Sequence, residues 1–358
     1  MAAAGRYGNT DLKEERRMGL QGRRIFTALA VLAMVAACGS SSTPNGPGKV
    51  SLKIMVGGLN KQIYLPNMLA ERLGYFTEQN LDVSLIDEGS GQGSEEEVVA
   101  GNVDAGSGAY SHPMELNPLG KKIETICQFG IAPGEAEVID AKKAGSIKSP
   151  ADLLNKNLGV TSIGSGTHTL TLAILGQAGL DPTKEHFVAV GAGDTFIAAI
   201  DQQKIDGGMT TEPTISRLVS SGKGKILVDL MTPASTRAAL GGDYPFIGIF
   251  AQNAWVNSHK DVAQRLVNAY VKTLKFIHSH TAAEISDKMP QAYYANDKAL
   301  YVAALQNQLA IFGTDCKMPA GGPETVMAID QKYVPSFKGK TANLSETYTN
   351  EFADKASV

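Results

Sequence analysis

The sequence predicts an α/β protein built on two βαβαβ units with parallel-type sheets. Three observations carry this. Apolar runs of strand length alternate with runs of helical period, the alternation occurs twice, and the same landmarks recur in the same order each time. In the first copy SLKIMVGG (51–58) reads as a strand. IYLPNMLAERLGYF (63–76) follows as a helix, with Leu65, Met68, Leu69, Leu73 and Phe76 on one face. NLDVSLI is the next strand, DEGSGQG a turn, SEEEVVAG a short acidic helix and NVDAGSG the third strand. In the second copy NLGVTSI (157–163) is the strand and THTLTLAILGQAG the helix, followed by GLDPTKEHFVAV, GAGD, the short helix TFIAAIDQQ and KIDGGMT. Leu81-Asp82 matches Leu180-Asp181, Gly89-Ser90-Gly91 matches Gly191-Ala192-Gly193, and Val103-Asp104 matches Ile205-Asp206. Strand–helix–strand connections within one sheet are right-handed, so each copy gives one parallel unit.

Between the copies, Ser149-Pro150-Ala151-Asp152 is a helix start, with a serine cap, a proline in the first turn and a carboxylate at the third helical position. Ser258-His259-Lys260-Asp261 opens a long helix whose Val262, Leu266, Ala269, Tyr270, Leu274 and Ile277 form one stripe. Helical stretches continue to Phe312. The remainder, with MPAGGPE and YVPSFKGK, reads as loops and short helices and forms no third lobe.

The N-terminus reads as an export signal. Arg23 and Arg24 precede a thirteen-residue apolar run, Ile25 to Ala37, shorter than the roughly 20 residues that span a bilayer as a helix. The run ends in Val35-Ala36-Ala37-Cys38, which resembles a bacterial lipoprotein signal with Cys38 acylated as the mature N-terminus. Arg23-Arg24-Ile25-Phe26 also fits a loose twin-arginine pattern, and Met18 is the expected start because Asp11, Glu14 and Glu15 suit no basic leader. Residues 1–37 are thus a signal peptide and 38–49 a flexible tether. The expected location is the periplasm or cell envelope, with the membrane reached through the lipid anchor alone.

Beyond residue 37 the chain carries 27 Lys plus Arg against 33 Asp plus Glu, a net charge of −6. That surface excludes a nucleic-acid partner and draws no anion from afar, so an anion site has to be local. Cys127 and Cys316 are the remaining cysteines. Export permits a disulfide, but they lie far apart in sequence and two make no framework, so Cys127, inside the strand-like IETICQF, is expected as a buried free thiol. Neither Cys nor His has metal-ligand spacing, and no cofactor is expected.

The stretch GVTSIGSGTHTLTLAIL (159–175) ends a strand in a knot of glycines and hydroxyls. It lacks the phosphate-loop pattern, and Gly339-Lys340-Thr341 supplies only that motif's second half. Gly164 and Gly166 are followed by Thr169 where a dinucleotide fingerprint needs glycine. The nucleophile elbow G-x-S-x-G is absent as well.

GYFTEQNLDVSLIDEGSG, VVAGNVDAGSG, IKSPADLLNKNLGV, GSGT and DGGMTTEP, in this order, resemble solute-binding proteins of ABC importers, specifically the nitrate, sulfonate, taurine and thiamine-precursor group. The resemblance covers residues 50–280. It implies a periplasmic binding protein fold of two lobes joined by two hinge crossovers, with residues 50–131 plus 242–358 as lobe one and 132–241 as lobe two. QFGIAPG and TRAALGGDYPF would be the hinge strands and FIGIFAQ the strand returning to lobe one. It further implies a monomer without catalytic residues, which grips a small anionic or aromatic solute and hands it to a permease with a separate ATPase. Pyrimidine-precursor synthases share the resemblance, but their cysteine-rich iron motif is missing here. A binding domain that reports to a sensor is the other alternative.

In such folds ligands bind beyond the carboxyl ends of the strands. Ser165, Gly166, Thr167 and His168 then sit at the N-terminus of a helix 167–179, where free amides and the dipole attract an anion. Plain capping by Ser165 is the competing reading. His168 at that place is expected to have a lowered pKa and to act as a neutral donor. Asn60, Gln62 and Tyr64 follow the first strand, Ser90 and Gly91 the second, Tyr110 and Ser111 the third, and Thr211 and Glu212 the last strand of lobe two. Tyr64 and Tyr110 suit ligand stacking or ordinary burial equally. Glu212 suits a ligand amine or the opening of the helix that follows. Of Arg72, Arg217, Arg237 and Arg265, only Arg237 falls in an expected hinge, which favours a singly charged or neutral ligand.

Overall fold

The computed structural model describes residues 48–358; the signal segment, Cys38 and all but the end of the tether lie outside the described residues. Ten strands form two five-stranded sheets. β1 (Val50–Val56), β2 (Leu81–Asp87), β3 (Ala105–Ala109), β4 (Ile123–Gln128) and β10 (Ile247–Gln252) make one, in the order β2-β1-β3-β10-β4. β5 (Glu135–Asp140), β6 (Asn157–Val160), β7 (His186–Ala189), β8 (Gly207–Thr211) and β9 (Gly224–Leu230) make the other, in the order β7-β6-β8-β5-β9. The two orders correspond strand for strand, which is the structural content of the repeated landmarks. Leu52 of β1 pairs with Val83 of β2, and Leu158 of β6 with Phe187 of β7.

The sheets are mixed, each with one strand opposed to its neighbours. β10 runs antiparallel to β3 and β4, and β5 antiparallel to β8 and β9. The crossovers explain this. β4 ends at the carboxyl edge of sheet one, so the chain enters sheet two at the facing edge, and β5 has to run away from it. β9 ends at that same edge and returns the chain to start β10 in the same sense.

The first crossover, 129–134, is extended and hydrogen-bonded to the second: Phe129 N and Gly130 N donate to Ile247 O at 2.9 and 2.8 Å, and Phe246 N donates to Gly130 O at 2.8 Å. The second is not the hinge strand expected of TRAALGGDYPF. Pro233–Leu240 is a helix capped by Thr232, whose Oγ1 accepts from Ser235 N at 3.0 Å, and Gly241 ends it at φ 84°. The strand β10 begins only at Ile247. Arg237 lies on this helix and pairs with Asp243 at 2.6 Å on the surface.

The helix Lys260–Ser279 buries the stripe read from the sequence and packs on the helix Leu65–Arg72. Ser258 is not its cap; it closes the preceding helix Asn253–Ser258, its Oγ donating to Ala254 O at 2.8 Å. The segment after Phe312 is more regular than expected. Gly322–Tyr333 is a twelve-residue helix lying against the helix Gly166–Gln177 of sheet two, and Tyr333 fills the side on which Gly176 lacks a side chain. Cys127 is not a free thiol: it is bonded to Cys316. Gln128 N donates to Cys316 O at 2.8 Å, so the C-terminal segment lies alongside β4, and a separation of 189 residues along the chain disappears in space.

Candidate functional site

The carboxyl edges of the two sheets face each other, and a cavity of about 20 Å³ lies between them. Two helices point their N-termini into it, one from each lobe. In Gly91–Ala100 of lobe one, Ser90 Oγ accepts from Gly93 N at 3.2 Å and caps the helix. In Gly166–Gln177 of lobe two, Ser165 does the same for His168 N at 3.4 Å. A helix's first amides have no intrahelical acceptor, so Gly91, Gly166 and Thr167 offer theirs to the cavity they line. The Ser165 hydroxyl is spent on capping, on Ser162 O at 2.7 Å and on Thr167 Oγ1 at 2.7 Å. Thr167 Oγ1 in turn accepts from Thr161 N at 2.9 Å. The knot therefore holds its own loop by hydroxyls and presents amides.

Close approach is built into the glycines. A methyl on Gly57 would lie 2.5 Å from Tyr64 Oη and 2.6 Å from Gly91 N. One on Gly166 would lie 2.5 Å from Phe246 Cζ and 3.0 Å from Ala109 Cβ, both across the gap between lobes.

Three ionisable side chains that the sequence reading passed over complete the wall: Lys61, His112 and Glu135. His112 Nδ1 lies 2.7 Å from Glu95 Oε2, and its Nε2 is buried without a partner, 3.0 Å from the place a Gly91 methyl would take. Burial pulls the His112 pKa down, but the Glu95 carboxylate outweighs it and leaves the value above the ordinary one. Glu95 takes Nδ1, so the edge of the ring left for the cavity wall is Nε2. Lys61 Nζ donates to Gly57 O at 2.7 Å and Gly89 O at 2.9 Å, and burial lowers its pKa to about 8. Burial raises Glu135 to about 8 against the pull of Lys61, and its Oε2 has no partner. Tyr64 lines the same wall, its phenol raised by burial and by Glu135. No arginine is among the lining residues.

The other sequence candidates lie elsewhere. Asn60 is exposed at the mouth of a wider cleft of about 460 Å³ that runs from Lys61 past Arg217. Gln62 is buried and ties the halves together, its N donating to Glu212 O at 3.0 Å and its Nε2 to Tyr301 O at 2.9 Å. Tyr110 turns away, its hydroxyl 2.7 Å from Thr347 Oγ1 and its ring edge-on to Tyr348. Ser111 is buried with its Oγ unpartnered and outside the cavity wall. Thr211 Oγ1 donates to Gly134 O at 3.2 Å. Glu212 accepts from Ser216 N at 2.9 Å and Ser216 Oγ at 2.8 Å at the start of the helix Thr214–Ser220; burial raises it to about 6. His168 lines a separate surface hollow beside Phe187, with Nδ1 accepting from Gly164 N at 3.1 Å, and burial lowers it to about 4.

Residues 63–283 match the family model described as NMT1/THI5 like. A solved structure from Bordetella bronchiseptica RB50 is 32% identical, with a TM-score of 0.81 over 86% of this chain and 96% of its own. The nitrate-binding periplasmic protein of Synechocystis PCC 6803 (13% identical, TM-score 0.68, 86% of this chain and 88% of that one) has the same fold. So does the alkanesulfonate-binding protein of Xanthomonas axonopodis pv. citri bound to MOPS (14%, 0.66, 85% and 99%). A 4-amino-5-hydroxymethyl-2-methylpyrimidine phosphate synthase of Legionella pneumophila is 24% identical over 168 residues, 44% of this chain and 52% of that protein. The chain thus spans about half the length of the curated relative it matches.

Proposed function

The chain belongs to the NMT1/THI5-like family, and on that footing we propose that it is the extracytoplasmic solute-binding component of an ABC importer, which captures a small anion between its lobes without turning it over. One observation carries the reading: two helix N-termini from opposite lobes, joined by the buried Nε2 of His112, converge on one enclosed space. Helix amides and an imidazole N–H around one small cavity form a ready anion site, and hinge closure would seal it. The absence of arginine from the wall favours a single negative charge. Nitrate- and sulfonate-like solutes, which the fold relatives named above bind, suit this wall. A permease and its ATPase are the proposed partners, with the body held to the membrane by a lipid on Cys38 and acting as a monomer.

Thermal-shift measurements against nitrate, methanesulfonate, taurine, aromatic carboxylates and pyrimidines test the proposal. A small monoanion is expected to raise the melting temperature in proportion to the logarithm of its concentration. A shift produced by a pyrimidine alone would reject the anion reading.

A further inference from the structure

Glu135 is at odds with the rest of the wall. The amides of Gly91, Gly166 and Thr167 and the Nε2–H of His112 all donate, and Lys61 carries a positive charge. Glu135 presents a carboxyl oxygen that is buried and unpartnered. Lys61 does not neutralise it by contact. Among the ion pairs of the described residues none joins the two, and Lys61 Nζ donates instead to the carbonyls of Gly57 and Gly89. Glu135 opens β5 directly after the first crossover, so it moves with lobe two, whereas Lys61 and Tyr64 come to it from lobe one. Its burial thus draws on residues of both lobes. An ionised carboxylate and an anionic guest cannot share one small dry space without a hydrogen between them.

Resting on the function proposed above, we infer that the cavity captures a compact monoanion together with one proton taken from solvent, and that Glu135 holds the proton. The guest class is an anion with no donor of its own, such as an inorganic or alkyl oxyanion. The groups facing Glu135 are Lys61 and Tyr64 from the segment after β1, Glu137 two residues along β5, Tyr244 from the second crossover, and His112 with Glu95 across the cavity. Asp87 and Glu88 act on it through Lys61. Burial raises Glu135 from the ordinary 4.5 to about 8. Between those values one proton enters with each anion, and affinity drops about tenfold per pH unit as pH rises. Glu137, also raised to about 8, is held by Thr171 Oγ1 at 3.2 Å within lobe two, so its burial does not change on closure.

Titration calorimetry with nitrate and methanesulfonate tests this, between pH 5.5 and 7.5 and in buffers of different ionisation heat. Uptake near one proton per anion is expected in the wild type and in Glu137→Gln. Glu135→Gln, whose amide supplies the hydrogen permanently, should lose most of the pH slope and bind more tightly than wild type at pH 7.5. Binding without proton uptake in the wild type overturns the inference even if the variant fails to fold, and so does an unchanged slope in a folded Glu135→Gln. A taurine complex tighter than the methanesulfonate complex, formed without uptake, also overturns it, because the hydrogen then comes from the guest. If none of these anions binds at any pH, the anion reading of the site fails and the inference falls with it.

Discussion

Gly166→Ala should weaken ligand capture without weakening the fold. The added methyl would sit 2.5 Å from Phe246 Cζ, 2.9 Å from its Cε2 and 3.0 Å from Ala109 Cβ. Carbon atoms rest at about 3.5–4.0 Å, so the shortfall is about 1 Å. The Phe246 ring cannot step aside freely, being 1% exposed and packed against Tyr244. Overpacking of this kind costs about 1–3 kcal/mol. Because Gly166 belongs to lobe two and Ala109 to lobe one, the cost falls on the closed state. It lowers affinity by about 5- to 150-fold. With the lobes apart, alanine in the first turn of a helix is no burden and restores up to about 1 kcal/mol of helix propensity. Calorimetric titration of nitrate or methanesulfonate, together with melting curves recorded without ligand, reads both effects. Unchanged affinity with a melting temperature lowered by about 4 °C or more would refute the reasoning, since the contact would then belong to a permanent core.

His112→Gln removes the Nε2 donor and should reduce anion affinity by about 10- to 150-fold, the worth of a hydrogen bond to a charged group; equal affinity in titration calorimetry would remove His112 from the site. Reduction of the Cys127–Cys316 bond, or Cys316→Ala, should cost about 2–5 kcal/mol, seen as a lower melting temperature in reductant, because the bond closes a very long loop. Stability should decline as pH rises from 5 to 8: Glu137 is raised from 4.5 to about 8 by burial, so its contribution is complete below 4.5 and is lost as pH passes through about 8. Chemical denaturation at a series of pH values checks the sign, and Glu137→Gln should flatten the curve.

The fold was legible because strand order in each half follows from a local pattern written twice. β1 to β3 and β6 to β8 lie on the segments that carry the repeated landmarks. What escaped was non-local. β5 and β10 owe their antiparallel sense to where the chain crosses between lobes, and no residue within them encodes direction. The helix Pro233–Leu240 did carry a local signal, since Thr232-Pro233 followed by Ser235 is a cap of the same kind as Ser149-Pro150 and Asp152. Reading the stretch as a hinge strand let the family outline outweigh the cap. The bond between Cys127 and Cys316 depends on the C-terminal segment returning to β4, which spacing alone does not reveal.

The site divides along the same line. Gly91, Ser165, Gly166 and Thr167 line the cavity because strand ends and helix starts can be read from composition, and the anion-attracting amides come with them. Lys61, His112 and Glu135 acquire meaning only when three segments distant in sequence close on one another. The pair Tyr110 and His112 makes the point at short range. Both follow β3 directly in sequence. The chain turns helical there, and two residues at 100° each rotate the side chain by about 200°. Tyr110 consequently faces Thr347 in the C-terminal segment, while His112 reaches the opposite side and meets Glu95 and the cavity. A histidine read by itself passes for a bystander; its partner Glu95, in the short acidic helix of the first repeat, fixes its ring and raises its pKa. Strand ends can be placed from the pattern, but choosing among consecutive residues needs the rotation of the first helical turn, which the sequence pattern Tyr-Ser-His-Pro does not fix.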